Sequence, residues 1–208
     1  MMKKPFIIGV SGGSGTGKTY LIAKLRTYFS EEQLCVISQD EYYKPKMHQV
    51  IDEQGVPNFD LPSALDEGAL VLDLQKLSEG ATVYKTEYTF NNPDRIPKQL
   101  VVKPAQVLLI EGIFIFHYEH VNALLDFKVF LQTKKEVRLA RRIKRDAKER
   151  GYSLDHVMYT DKHHVGPAYK SFIKPYRKEA DVILPNNEAG FDKGVELIRL
   201  LIQKNLKE

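Results

Sequence analysis

The chain has 208 residues, 43% hydrophobic and 28% charged, a balance that excludes disordered and fibrous classes and supplies the apolar side chains for one full core. Its 31 Lys and Arg against 27 Asp and Glu leave a net charge of +4, only mildly basic, and with no nucleic-acid-binding motif this argues against a nucleic-acid partner. No window reaches the ~18 uninterrupted apolar residues of a membrane-spanning helix, and Met1 to Val10 leads into glycines rather than a cleavage site, so the expected location is cytoplasmic with no membrane partner. The one cysteine, Cys35, cannot form an internal disulfide and reads as a small buried hydrophobe.

In chain order, five apolar runs read as strands: Pro5 to Val10, Leu34 to Ile37, Val107 to Ile110, Phe127 to Leu131 and Val182 to Leu184. Most are apolar at consecutive positions, as parallel strands covered on both faces require. Helical spacing follows the first run at Leu21, Leu25, Tyr28 and Phe29, and recurs over about Ser63–Leu77, Lys135–Arg150, Tyr169–Ile173 and Phe191–Ile202. Ser63 and Asp66 have the spacing of a capping box, with Leu70, Leu74 and Leu77 as the apolar stripe behind them. From Val83 to Val102 apolar and polar residues alternate about Asn91-Asn92-Pro93-Asp94, the pattern of a β-hairpin. The alternation predicts an α/β fold of one domain, residues 1–208.

The sharpest motif is Gly12-Gly13-Ser14-Gly15-Thr16-Gly17-Lys18-Thr19, which satisfies G-x-x-x-x-G-K-[ST] between an apolar strand and a helix. Glycines let the backbone curl until successive N–H groups point at phosphate oxygens, and the helix that follows adds its positive dipole end. Lys18 then suits the β and γ phosphates of a nucleoside triphosphate, ATP or GTP, and the Thr19 hydroxyl suits Mg²⁺. Glu111 ends the Val107–Ile110 strand, where a second strand supplies its acid to the metal. No Asp-Glu pair for activating water and no Asn-Lys-x-Asp stretch for reading guanine accompanies it, which favours transfer to a hydroxyl over hydrolysis. Asp40 follows the Leu34–Ile37 strand and is either a carboxylate at the ligand crevice, able to take a proton and help hold the metal, or a surface-turn aspartate. The stretch from Lys134 to Arg150 carries nine basic and three acidic residues, and can be a phosphate lid, a nucleic-acid face or a solvated helix. Ala140, Ile143 and Ala147 make its apolar stripe, with Arg138, Arg142 and Arg145 on another face.

These segments together resemble the uridine kinase family. The resemblance runs from Ile7 to about Pro185 and is carried by the glycine loop, Ser38-Gln39-Asp40 with Tyr42-Tyr43, Phe59-Asp60-x-Pro62-x-Ala64-x-Asp66 and Glu111-Gly112-Ile113. It continues through Arg141-Arg142-x-x-Arg145-Asp146, Glu149-Arg150-Gly151, Pro167, Phe172, Pro175 and Ala180-Asp181-Val182-Ile183-x-Pro185. It implies a three-layer P-loop kinase fold with a parallel five-stranded sheet, an acceptor-binding hairpin region over about 41–103 and an arginine-rich helical lid over about 138–165. It further implies Asp40 as catalytic base, Thr19, Glu111 and Asp40 about Mg²⁺, Asp60 on the ribose hydroxyls, Tyr43, Tyr88 and Phe90 against the nucleoside, and Arg142 and Arg145 as charge-stabilising lid residues. The expected reaction is phosphorylation of the 5′-hydroxyl of uridine or cytidine, the partner being a small-molecule nucleoside or related metabolite; a homo-oligomer is left open.

Three positions depart from the family's base-reading pattern: Pro93 stands where a histidine is usual, Tyr152 for an arginine and Thr160 for a glutamine. Losing polar readers alters acceptor choice while leaving the phosphate chemistry intact. The alternatives are a kinase of another metabolite, phosphoribulokinase-like or pantothenate kinase-like, and a nucleotide-binding regulatory protein without turnover. His163-His164 with Asp161, and His117 with His120, form no recognisable transition-metal ligand set.

Overall fold

The computed structural model describes residues 4–90, 92, 95–187 and 191–207, of Lys207 the backbone only. Strand β1 (Phe6–Ser11) runs into the glycine loop and α1 (Lys18–Leu25) leaves it. β2 (Leu34–Ser38) ends in a 3₁₀ turn, Gln39–Tyr42, followed by two short strands, β3 (Val50–Ile51) and β4 (Pro57–Asn58), and by α2 (Glu67–Ser78). Next come β5 (Val83–Thr86), β6 (Gln99–Val102), β7 (Val107–Gly112), α3 (Glu119–Asn122) and β8 (Phe127–Gln132). The charged helix α4 (Lys135–Arg150) closes at Gly151 and returns through α5 (Leu154–Thr160). Beyond α5 the chain stays helical, with π turns at Asp161–Val165 and Tyr169–Ile173 about α6 (Gly166–Ala168), before β9 (Val182–Pro185) and α7 (Phe191–Lys207).

The five predicted strands form one parallel sheet in the order β2-β7-β1-β8-β9, each running one or two residues beyond its apolar run at the C-terminal end. Their unbroken apolar character has a plain cause, since both faces are covered. On one side Leu70, Leu74, Phe114, Phe116 and Phe130 pack together, and on the other Leu21, Leu25, Ile198 and Ile202 pack against Ile8, Val10 and Leu109. Register aligns the functional ends: Val10 lies beside Glu111, and Ser38 lies beside Glu111 on the other side. Phosphate loop and strand-end carboxylate thus emerge together at the carboxyl edge of the sheet.

Two local expectations are corrected. Ser63 does not cap α2: Pro62–Ala64 forms a 3₁₀ turn, Tyr43 bridges to Leu65, and Asp66 is the cap, its Oδ1 accepting from the Ala69 N–H at 2.9 Å. A carboxylate on the residue just before the helix satisfies one of its first N–H groups without Ser63. On α4 the alanines at 140 and 147 face solvent, whereas Arg142 and Asp146 are the buried positions. The helix turns its charged face inward because that face covers the glycine loop rather than an apolar core. The β5–β6 hairpin pairs as expected, Val83 with Val102 through Thr86 with Gln99; of its expected turn, Asn91, Pro93 and Asp94 lie outside the described residues. The β3–β4 hairpin has no counterpart among the sequence-based expectations.

Candidate active site

The glycine loop is shaped by backbone constraints before any ligand is considered. Gly15 and Gly17 hold φ of 81° and 99°, where a side chain is strained, and a Cβ on Gly15 would lie 2.6 Å from the Arg138 carbonyl oxygen. A Cβ on Gly17 would overlap the Asn186 amide. The loop is tied from several sides. Thr16 is buried and its hydroxyl donates to the Gly13 carbonyl at 2.8 Å; Asn186 Nδ2 donates to the Thr16 carbonyl at 2.8 Å; Arg141 donates to the Gly15 carbonyl at 3.3 Å. Lys18 Nζ folds back onto the Gly12 carbonyl at 3.0 Å. Ser14, Gly15, Gly17, Lys18 and Thr19 line a cleft of about 610 Å³; Gly12, Gly13 and Thr16 do not line it.

Two acidic groups, Glu111 and Asp40, meet the loop there. The Ser38 hydroxyl donates to Glu111 Oε1 at 2.6 Å and accepts the Asp40 N–H at 3.3 Å, so one serine ties the Glu111 carboxylate to the Asp40 backbone. Burial raises the pKa of Glu111, against the pull of the Lys18 ammonium and with the help of Asp40. Burial likewise lowers that of Lys18, while Glu111 and Asp40 favour its charged form. Neither charge would persist in so dry a place without the other. Gln39 is fully buried, accepts the Phe114 N–H at 3.0 Å and fills the space beside Gly112, where a Cβ would collide with it. Oxygen atoms of Thr19, Asp40 and Glu111 form a hard donor set short of a closed protein cage, which fits Mg²⁺ held jointly with phosphates. The glycine-lined cradle, which leaves no room for a Cβ at Gly15 or Gly17, fits a phosphate chain.

The far end of the same cleft holds the residues expected on the acceptor side. Tyr43, Phe59, Tyr88 and Phe90 form a contiguous aromatic cluster with centroids 5.1–6.4 Å apart, and the Arg150 guanidinium lies 4.0 Å from the Phe90 ring. Phe90 holds a positive φ of 54°, and the Tyr88 N–H donates to Glu41 at 2.6 Å. Asp60 lines the cleft beside them; burial pushes its carboxyl up, opposed chiefly by Arg142. Arg142 and Arg145 reach the cleft from α4, Arg145 approaching the Ser14 hydroxyl at 3.4 Å. Every expected site side chain other than Thr16 therefore opens on one cavity.

Several contributors were given no role in the sequence analysis, although Ser38, Gln39 and Asp146 stand within the motifs quoted there. Asp146, almost wholly buried, gathers Arg145 at 2.8 Å, Arg150 at 3.5 Å and Arg142 at 3.8 Å. Its i,i+4 spacing from Arg142 and to Arg150 was the available signal. Arg142 is also held by Asp161 at 2.9 Å. Ser38, Gln39 and Asn186 carried no spacing signal, because their partners are distant in sequence. Tyr152 and Thr160 line the acceptor end; Pro93 lies outside the described residues.

The model of the phosphoribulokinase/uridine kinase family matches residues 7–189. The chain belongs to this family. A uridine kinase from Brevibacillus brevis is 40% identical over 192 residues, covering 92% of this chain and 89% of that one. One from Clostridium tetani is 36% identical over 208 residues, covering 99% and 100%. The fold is shared with phosphoribulokinase from Rhodobacter spheroides, with a TM-score of 0.63 at 16% identity, 89% of this chain and 71% of that chain covered. With the family come the parallel-sheet kinase fold and kinase activity. Among the described residues no helix is long and apolar enough to cross a membrane.

Proposed function

We propose that the chain transfers the γ-phosphoryl group of ATP to the 5′-hydroxyl of a pyrimidine nucleoside. The observation that supports it best is a single cleft with the glycine loop and Lys18 at one end, Asp40 and Glu111 at its floor, and Asp60 beside an aromatic cluster at the other end. The relatives' name, uridine kinase, agrees with that acceptor. Asp40 takes the proton of the acceptor hydroxyl, and that oxygen bonds to the γ phosphorus. The bond from the γ phosphorus to its bridging oxygen breaks, and the electron pair leaves with ADP. Thr19, Glu111 and Asp40 would hold Mg²⁺, which when bound would offset charge on the phosphate oxygens. Arg142 and Arg145 belong to a lid, residues 138–165, that neutralises the transferring group and excludes water. Asp60 takes the ribose hydroxyls, and Tyr43, Tyr88 and Phe90 offer rings to the base. A cytoplasmic salvage role accords with this chemistry.

The test is ADP release from Mg²⁺-ATP with uridine, cytidine, purine nucleosides and sugar phosphates. Acceleration by the pyrimidine nucleosides is expected; acceleration by a sugar phosphate alone overturns the acceptor assignment, and acceleration by none favours a regulatory nucleotide binder.

A further inference from the structure

The cleft has a wall of which the sequence pointed only to Tyr152 and Thr160. His156, Thr160 and His164 recur every fourth residue on the returning helix, and all three line the cleft; the Tyr152 ring lies on His156 with centroids 4.5 Å apart.

His164 is held by the β3–β4 turn. Its Nε2 lies 2.7 Å from Asp52 Oδ2, which also accepts the Tyr159 hydroxyl at 2.8 Å, while Asp52 Oδ1 accepts the Gln54 and Val56 N–H groups at 2.9 and 2.8 Å. Partial burial works to raise Asp52, but the Val56 N–H, the Tyr159 hydroxyl, His164 and the Gln54 N–H outweigh it and hold the carboxyl well below the ordinary carboxylate range. An ionised carboxylate only accepts, so Nε2 carries the hydrogen, and in the neutral ring Nδ1 is a lone-pair acceptor. The Thr160 hydroxyl already donates its hydrogen to the Val157 carbonyl at 3.1 Å, which leaves it as an acceptor too. Two acceptors one helical turn apart, with Cβ atoms about 5–6 Å from each other, match an –NH₂ group, whose two hydrogens reach partners about 5 Å apart.

We propose that Thr160 and His164 select an acceptor that presents an amino group to the returning helix, so that cytidine is preferred over uridine. This rests on the pyrimidine-nucleoside reading above. Cytosine offers the exocyclic amine; uracil offers one N–H between two carbonyls, which two acceptor atoms repel. His164 is a specificity residue in this account, and Asp52 a positioning residue that fixes which ring nitrogen bears the hydrogen.

The experiment measures kcat/KM for cytidine and uridine at one fixed pH. It compares the unaltered chain with Asp52→Asn and Thr160→Val. In Asp52→Asn the two backbone donors keep the amide oxygen at the Oδ1 position, so the amide nitrogen faces Nε2 and can only donate. The ring must then move its hydrogen to Nδ1, which turns an acceptor into a donor. The unaltered chain is expected to favour cytidine by ~10-fold or more, and each variant to cut that ratio by about 10-fold, with KM for ATP unchanged. Equal or better use of uridine by the unaltered chain overturns the proposal. So does an Asp52→Asn chain that loses activity toward both nucleosides equally, which is what a purely structural latch predicts. If neither nucleoside is phosphorylated by any of the three chains, the pyrimidine reading itself fails and this one with it.

Discussion

Replacing Asp146 by Asn tests whether one buried carboxylate holds the arginine face over the phosphates. The side chain is 3% exposed and receives three guanidinium groups, from Arg142, Arg145 and Arg150, whose side chains are 7%, 33% and 21% exposed. Asparagine preserves the shape but removes the charge and one accepting oxygen. Arg142 retains Asp161 at 2.9 Å, and Arg145 and Arg150 can turn toward water. The cost is therefore that of charge-assisted hydrogen bonds, about 2 kcal/mol, rather than the ~3–5 kcal/mol of stranding a buried ion. For a chain of this size that lowers the Tm by about 4–8 °C. Arg145 also loses the contact that aims it at Ser14, and a misplacement on the ångström scale can lower kcat by about 10²-fold. Thermal unfolding read by circular dichroism, with steady-state kinetics on the same preparation, measures both. A Tm within ~1 °C of the parent together with an unchanged kcat would refute the idea that Asp146 anchors this face.

Two further outcomes are expected. Asp40→Asn keeps magnesium-nucleotide binding by calorimetry while turnover falls by ~10²-fold or more, and undiminished turnover removes Asp40 from the role of base. Lys85 is held down to about 8 by burial, against the pull of Asp73 and Glu41. Below pH 8 the folded chain keeps an ammonium in a poorly solvated place; as pH rises toward 10.5 the folded form sheds that proton before the unfolded chain does, and the cost is relieved. Lys85→Met is therefore expected to raise the Tm at pH 7 with a gain that shrinks by pH 10, and no gain at pH 7 counts against it.

The strands were legible because burial on both faces writes itself as consecutive apolar residues, and the glycine loop because its geometry admits few alternatives. Less was legible where structure depends on partners far away in sequence. Strands β3 and β4 have two residues each, too short for any periodicity, and their turn is fixed by the carboxylate of Asp52. The inward face of α4 was misread because an apolar stripe normally marks the buried side, yet this helix covers a charged floor and places its alanines in solvent. Asp60, Tyr43, Tyr88 and Phe90 were legible through resemblance alone, since nothing in their local spacing says that they converge. The positions where family readers are missing, Tyr152 and Thr160, gave a hole in the pattern, but His164 became visible only when the returning helix was seen to set it on the same wall.

Strand β1 lies in the middle of the sheet, flanked by β7 and β8. The loop that would grip a triphosphate thus grows from the most confined segment of the molecule, while the β3–β4 and β5–β6 hairpins and α4 with α5 attach at the margins. On the proposed reading, closure on substrates would bring these peripheral parts over a stationary base, and any substitution that loosens the base should weaken every ligand at once.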